Sequence, residues 1–139
     1  MDALYQDALA HLERGELEEA EKLLQEYLRH CPNHAMAWHK LGLVYAKRRQ
    51  LSKAKEYFLQ AIKEDPHLAP ALNNLGNIAR VEGNLDEAID YYQRAIAIEP
   101  EAITPHRNLA IVYKQKLRFG DYFREWKTIR RLKKENKNV

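Results

Sequence analysis

Apolar residues along this chain fall at helical spacing, and the spacing recurs. Trp38, Leu41, Gly42 and Tyr45 stand at i, i+3, i+4 and i+7, which is one face of a helix. Ala54, Tyr57, Phe58, Ala61 and Ile62 repeat that pattern downstream. A polar break, Lys47-Arg48-Arg49-Gln50, separates the two. In the next stretch the break is Glu82-Gly83-Asn84, where Gly83 can turn left-handed at little cost, and Gly15 offers the same turn earlier. The elements predicted are pairs of helices joined by tight turns.

The pairs repeat every 34 residues. Pro32, Pro66 and Pro100 hold that period, as do Ala20, Ala54 and Ala88, and Leu41, Leu75 and Leu109. Gly42 and Gly76 share a phase with Ala8 and Ala110. Each periodic proline ends a second helix, because it lacks an N–H and clashes with the preceding turn. Pro70 and Pro105 fall in the first turns of their helices, where proline is tolerated. The small residues have a packing reason: Gly42 and Gly76 allow close helix approach, while Ala54, Ala61, Ala88 and Ala95 receive large side chains. One hairpin cannot bury its apolar face alone, whereas stacked hairpins can.

The sequence Trp38-His39-Lys40-Leu41-Gly42-Leu43-Val44-Tyr45, followed by Ala54, Phe58, Ala61 and Pro66, resembles the tetratricopeptide repeat. Asn73-Asn74-Leu75-Gly76-Asn77 through Pro100 is similar, with Leu72 in place of the tryptophan and Ala79 in place of the tyrosine. The resemblance runs over essentially the whole chain. It implies an all-α, right-handed α-solenoid of about four helical hairpins with a C-terminal capping helix. The repeats would be 1–34, 35–68, 69–102 and 103–136, forming one domain over 1–139.

Both ends depart from the pattern. Asp7 and His11 stand where leucine and an aromatic are usual, so the first helix is expected to be more exposed. After Tyr113 the pattern degenerates, and Tyr122 occupies the phase of a small residue. A three-residue shift would align Gly120-Asp121-Tyr122 with Gly83-Asn84-Leu85, which predicts a lengthened turn or helix before the last helix. That last helix carries an apolar stripe, Phe119, Tyr122, Phe123, Trp126, Ile129 and Leu132, expected to pack on the fourth hairpin with its charges in water. Residues 135–139 are expected to fray.

Composition narrows the setting. The chain has 139 residues and one cysteine, Cys31, so there is no internal disulfide. No apolar run is long enough to span a membrane, and the first residues carry acids rather than a basic leader. A cytoplasmic protein is expected. The net charge is only +3, but it is unevenly spread: −5 over 1–34, +4 over 35–68, −4 over 69–102 and +8 over 103–139. Alternating signs favour attraction between neighbours, although exposed pairs contribute little each.

The first helix of each hairpin has a face opposite its core stripe. By phase this face carries His39, Lys40, Leu43 and Lys47 in the second repeat. The third repeat supplies Asn73, Asn74, Asn77 and Arg80, and the fourth Arg107, Asn108, Ile111 and Lys114. In proteins the chain resembles, these faces line a concave groove that holds an extended peptide. Lys40, Asn74 and Asn108 share one phase, and an asparagine can donate to a peptide carbonyl while accepting from a peptide N–H. The resemblance implies an asparagine ladder gripping peptide backbone, with Lys40, Arg80, Arg107 and Lys114 selecting acidic partners. The family's carboxylate clamp is a poor match: Asn74 fits its centre, but His39, Leu43, Thr104 and Asn108 do not.

The function expected is a non-catalytic protein-interaction scaffold binding an extended acidic peptide. Head-to-tail self-assembly of the −5 end on the +8 end is the alternative. Nucleic-acid binding by the basic C-terminal end, and membrane-surface binding by its last helix, rank below both. No phosphate-binding glycine loop follows a strand, so no catalytic residue is assigned and no enzyme activity is expected. His30-Cys31-Pro32-Asn33-His34 holds three potential ligands on an inter-repeat turn without a second ligand pair nearby, so no metal or cofactor is assigned.

Overall fold

The computed structural model describes residues 2–137. Eight α-helices and no strand occur among them. They are α1 (Asp2–Glu13), α2 (Leu17–His30), α3 (Ala35–Lys47), α4 (Leu51–Glu64), α5 (Ala69–Val81), α6 (Leu85–Ile98), α7 (Ile103–Gln115) and α8 (Phe119–Lys137). The chain forms two compact units, residues 1–71 and 72–139, with the boundary inside α5.

The turn within each hairpin is built by one device used four times. Gly15, Arg49, Gly83 and Leu117 all have positive φ, at 77°, 62°, 83° and 58°. Each lies 34 residues after the last. At every one the next residue's N–H bonds five residues back, as in Glu16 to His11 and Arg118 to Tyr113. The positive-φ residue itself bonds three back, as in Gly15 to Leu12 and Leu117 to Lys114. This is the Schellman closure of a helix C-terminus. The shift expected near Gly120 is therefore absent: Leu117 takes the glycine position of the fourth turn and the period holds. What lengthens is α8 itself, at 19 residues against 14 for α2, α4 and α6. The expected fraying at 135–137 is not seen, since α8 continues through Lys137; Asn138 and Val139 lie outside the described residues.

In the first unit, Ala20, Leu24, Ala37, Leu41, Val44, Ala54, Phe58 and Ala61 are fully buried. A Cβ on Gly42 would lie 2.6 Å from the Phe58 ring, so the glycine is what admits the phenylalanine. Trp38 stacks on Tyr57, and its indole N–H donates to the Pro32 carbonyl at 2.8 Å. Tyr45 on α3 donates its hydroxyl to Glu21 on α2, and Arg48 reaches the same carboxylate at 2.6 Å. The bond to Glu21 pushes the Tyr45 hydroxyl up to about 12. Burial opposes it, yet the bonds from Tyr45 and Arg48 hold the Glu21 carboxyl below its ordinary value.

The second unit repeats the scheme. Gly76 sits against Tyr92, where a Cβ would come within 2.5 Å of the ring. Ala79, Ala88, Ile89 and Tyr92 form a core with Leu109, Val112 and Tyr113, flanked by Leu85, Ile96 and Tyr122. His106 stands at the phase of Trp38, and its Nε2 bonds the Pro100 carbonyl at 3.1 Å, as Trp38 bonds Pro32. Its Nδ1 meets Glu125 of α8 at 2.7 Å.

The stripe expected to bury α8 does so only in part. Ile129 and Leu132 are buried and Tyr122 and Trp126 half-buried, but Phe119 and Phe123 are 50% and 65% exposed. The reason is angular. Phe119 and Phe123 lie one turn apart on a face rotated away from the line through Ile129 and Leu132, which contacts α7.

Candidate functional site

Within the second unit, the outward faces of α5 and α7 bring expected site residues together. Asn108 donates Nδ2–H to Asn73 Oδ1 at 3.1 Å, joining neighbouring first helices by an amide–amide bond. Asn74, which shares the phase of Asn108, is the other amide expected to grip a peptide. The observed pair is 35 residues apart rather than 34, because side chains on adjacent helices meet with an axial offset of one residue. Asn74 is half-buried and engaged in the structure.

Tyr92 was not among the expected site residues, and it organises two that were. Its hydroxyl donates to Asn77 Oδ1 at 2.6 Å and accepts from Arg80 Nε at 3.5 Å. Burial pushes its hydroxyl pKa upward. Tyr92 comes from α6, seated in the notch left by Gly76, so a core packing choice fixes two surface side chains. The only sequence signal was an aromatic at the phase of Phe58, which reads as core.

These bonds leave definite chemistry outward. Asn77 has used its carbonyl oxygen and keeps its amide donors; Asn108 keeps its oxygen; Arg80 keeps its terminal guanidinium nitrogens. Arg107, Ile111 and Lys114 are exposed on α7. The surface therefore offers donors and acceptors to a peptide backbone and cations to carboxylates.

In the first unit the expected residues are less uniform. Lys47 is exposed, and Lys40 and Leu43 are half-buried. His39 does not present its ring outward: it is 4% exposed and packs 5.5 Å from Phe58. Burial, and then the charge of Lys40, lower its pKa to about 4, so it is a neutral core residue. It is removed from the candidate surface. A separate open cleft of about 420 Å³ lies between Leu28, Pro32, Trp38, Leu41 and Tyr57, with Gln25 and Arg29 at its rim.

Of the histidine and cysteine run, His30 is exposed and Cys31 half-buried, while His34 packs 4.8 Å from Tyr5 and 5.3 Å from Tyr27. Among the described residues no group of three potential ligands converges. No helix among them is long and apolar enough to cross a membrane.

Three models of the tetratricopeptide repeat match the chain, over residues 2–44, 35–68 and 69–101. No curated protein matches it significantly. Among solved structures, one of MamA superimposes with a TM-score of 0.91 at 20% identity, covering 99% of this chain and 81% of that one. A MamA RS-1 double mutant gives 0.85 at 24% identity over 97% and 76%. A structure of Pseudomonas aeruginosa pilF gives 0.85 at 27% identity, over 94% of this chain and 60% of that chain. These likenesses support the same helical-repeat fold.

Proposed function

Because the chain belongs to the tetratricopeptide-repeat family, whose members serve as protein-interaction scaffolds, we propose that it binds an extended acidic segment of a partner protein without catalysing a reaction. The four hairpins act as one interaction domain in the cytoplasm. The partner backbone lies along the outward faces of α5 and α7, gripped by Asn73, Asn74, Asn77 and Asn108. Arg80, Arg107 and Lys114 take its carboxylates through charge-assisted hydrogen bonds. Lys40, Leu43 and Lys47 supply an equivalent face on α3. The observation that carries this reading is the bond from Asn108 to Asn73, which pre-organises two amides on neighbouring helices. A fixed surface lowers the ordering cost of the contact, leaving that cost to the partner segment.

A peptide array with graded acid content tests it. Wild-type binding should rise with the number of carboxylates. The Arg107→Glu, Asn108→Ala, Lys114→Glu variant, with unchanged helicity by circular dichroism, should bind acidic peptides at least tenfold more weakly, since each charged hydrogen bond contributes about 1.5–3 kcal/mol. Binding indifferent to acid content and to the variant would reject the reading. A second reading, self-association through the oppositely charged ends, has separate support in the uncovered aromatic side chains of α8.

A further inference from the structure

Within each unit, the contact of one hairpin with the next uses the same phases. On the second helix, Glu21 bonds Tyr45 of the following first helix. In the later hairpin the residue at the phase of Glu21 is Ile89, packed in one core with Leu109, Val112 and Tyr113. Gln93 donates to the Tyr113 hydroxyl at 3.3 Å, and Lys116 bonds Asp86 at 2.7 Å. The stacking face of a second helix thus carries the phases of Leu85, Asp86, Ile89, Gln93 and Ile96. The receiving face of a first helix carries those of Leu109, Val112, Tyr113 and Lys116.

Carried one period on, the donor face becomes Phe119, Gly120, Phe123, Lys127 and Arg130 of α8, and all five are exposed. Carried back to α1, the receiving face becomes Asp7, Ala10, His11 and Arg14. Two substitutions stand out. Leu41, Leu75 and Leu109 are all buried, and the same phase in α1 holds the exposed Asp7. Leu28, Ile62 and Ile96 share one phase, and in α8 it holds the exposed Arg130. Each terminal face has exchanged an apolar residue for a charge, and the charges are opposite. The two helices of a junction run antiparallel, pairing Asp86 with Lys116 at one end and Gln93 with Tyr113 further along. The same register sets Asp7, one turn before His11, opposite Lys127 and Arg130.

We propose that the α8 face of one copy docks on the α1 face of a second copy, reproducing the junction between hairpins within the chain. This rests on the self-association reading and assigns its surface. Phe119 and Phe123 supply the apolar contact that Leu85 and Ile89 supply inside the chain. Asp7 with Lys127 and Arg130 fixes register and excludes like-charged pairings. The contact joins different faces, so it propagates rather than closing at a pair.

Sedimentation equilibrium of the full chain tests this, using Asp7→Arg and Arg130→Asp as single variants. Both positions are exposed and lie outside the proposed peptide surface, so folding and acidic-peptide binding serve as controls. The wild-type mass should rise from 16.4 kDa with concentration. Each variant alone should stay near one chain mass, because positions 7 and 130, which face each other at the junction, then carry like charges. An equimolar mixture of the two should regain the wild-type rise, because every junction between unlike variants again sets opposite charges face to face. A wild type that stays at one chain mass overturns both the surface and the self-association reading. A mass that rises equally in wild type and both variants overturns the surface alone. A wild type of constant mass that instead cosediments with anionic phospholipid vesicles overturns the proposal in favour of a lipid surface.

Discussion

Single residues at special backbone positions carry the period of this protein. Four positive-φ turns close the hairpins, yet only Gly15 and Gly83 are glycines. Arg49 and Leu117 hold the left-handed conformation with a Cβ, which costs about 1–2 kcal/mol per residue. Leu117 is 71% exposed, so its side chain contributes little burial to offset that cost. Leu117→Gly should stabilise the chain by about 1 kcal/mol, read as a higher urea midpoint at unchanged slope. The opposite holds at Gly42, where an added Cβ meets the Phe58 ring at 2.6 Å. Gly42→Ala should destabilise by about 1–3 kcal/mol. Adding Phe58→Leu should make that alanine less costly, and a double-mutant cycle without coupling would contradict the steric account. His39 supplies a pH prediction. Its folded pKa, near 4, lies below the unfolded value of 6.5. The unfolded chain therefore takes up the proton first as pH falls, and stability is lost between about pH 6.5 and 4. Comparing urea midpoints at both ends of that window, His39→Leu should show a smaller decline than wild type.

At the scale of elements, the amphipathic pattern placed the helices, but their ends and faces depended on partners. The period set the starts of α6 and α8 34 residues apart, although the local text around Gly120 suggested a shift. The glycine there misled, since its helix needs no special φ at that point. The decisive turn residue, Leu117, bears no sequence mark of its role. His106 and Glu125 were equally illegible as a pair, being 19 residues apart on different helices. Their contact is largely buried, and the other ring nitrogen meets the Pro100 carbonyl. Glu125→Ala should cost about 1–3 kcal/mol by leaving the buried His106 ring without its α8 partner. Hydrogen exchange should then quicken first in α8; uniform exchange across the chain would argue against a specific anchor.

At the scale of the whole molecule, charge is laid out by repeat while the net charge stays at +3. The proposed peptide surface uses exposed cations at Arg107 and Lys114, where ionic screening acts strongly. Affinity for an acidic peptide should fall several-fold between low and physiological salt, measured by fluorescence anisotropy. A salt-independent affinity would place the binding energy in apolar contacts instead.

The sequence by itself determined the helical hairpins, their period, the close approaches at Gly42 and Gly76 and the family. All of these follow from local spacing and residue size, which a linear text carries. The tertiary structure decided which equivalent residues meet. It paired Asn108 with Asn73, turned His39 into the core, brought Tyr92 beneath Asn77 and Arg80, and left Phe119 and Phe123 uncovered. Periodicity fixes a residue's face to within a fraction of a turn. A hydrogen bond or a buried ring depends on a few ångströms of axial offset and rotation between helices, and those are set by packing against side chains far away in the chain.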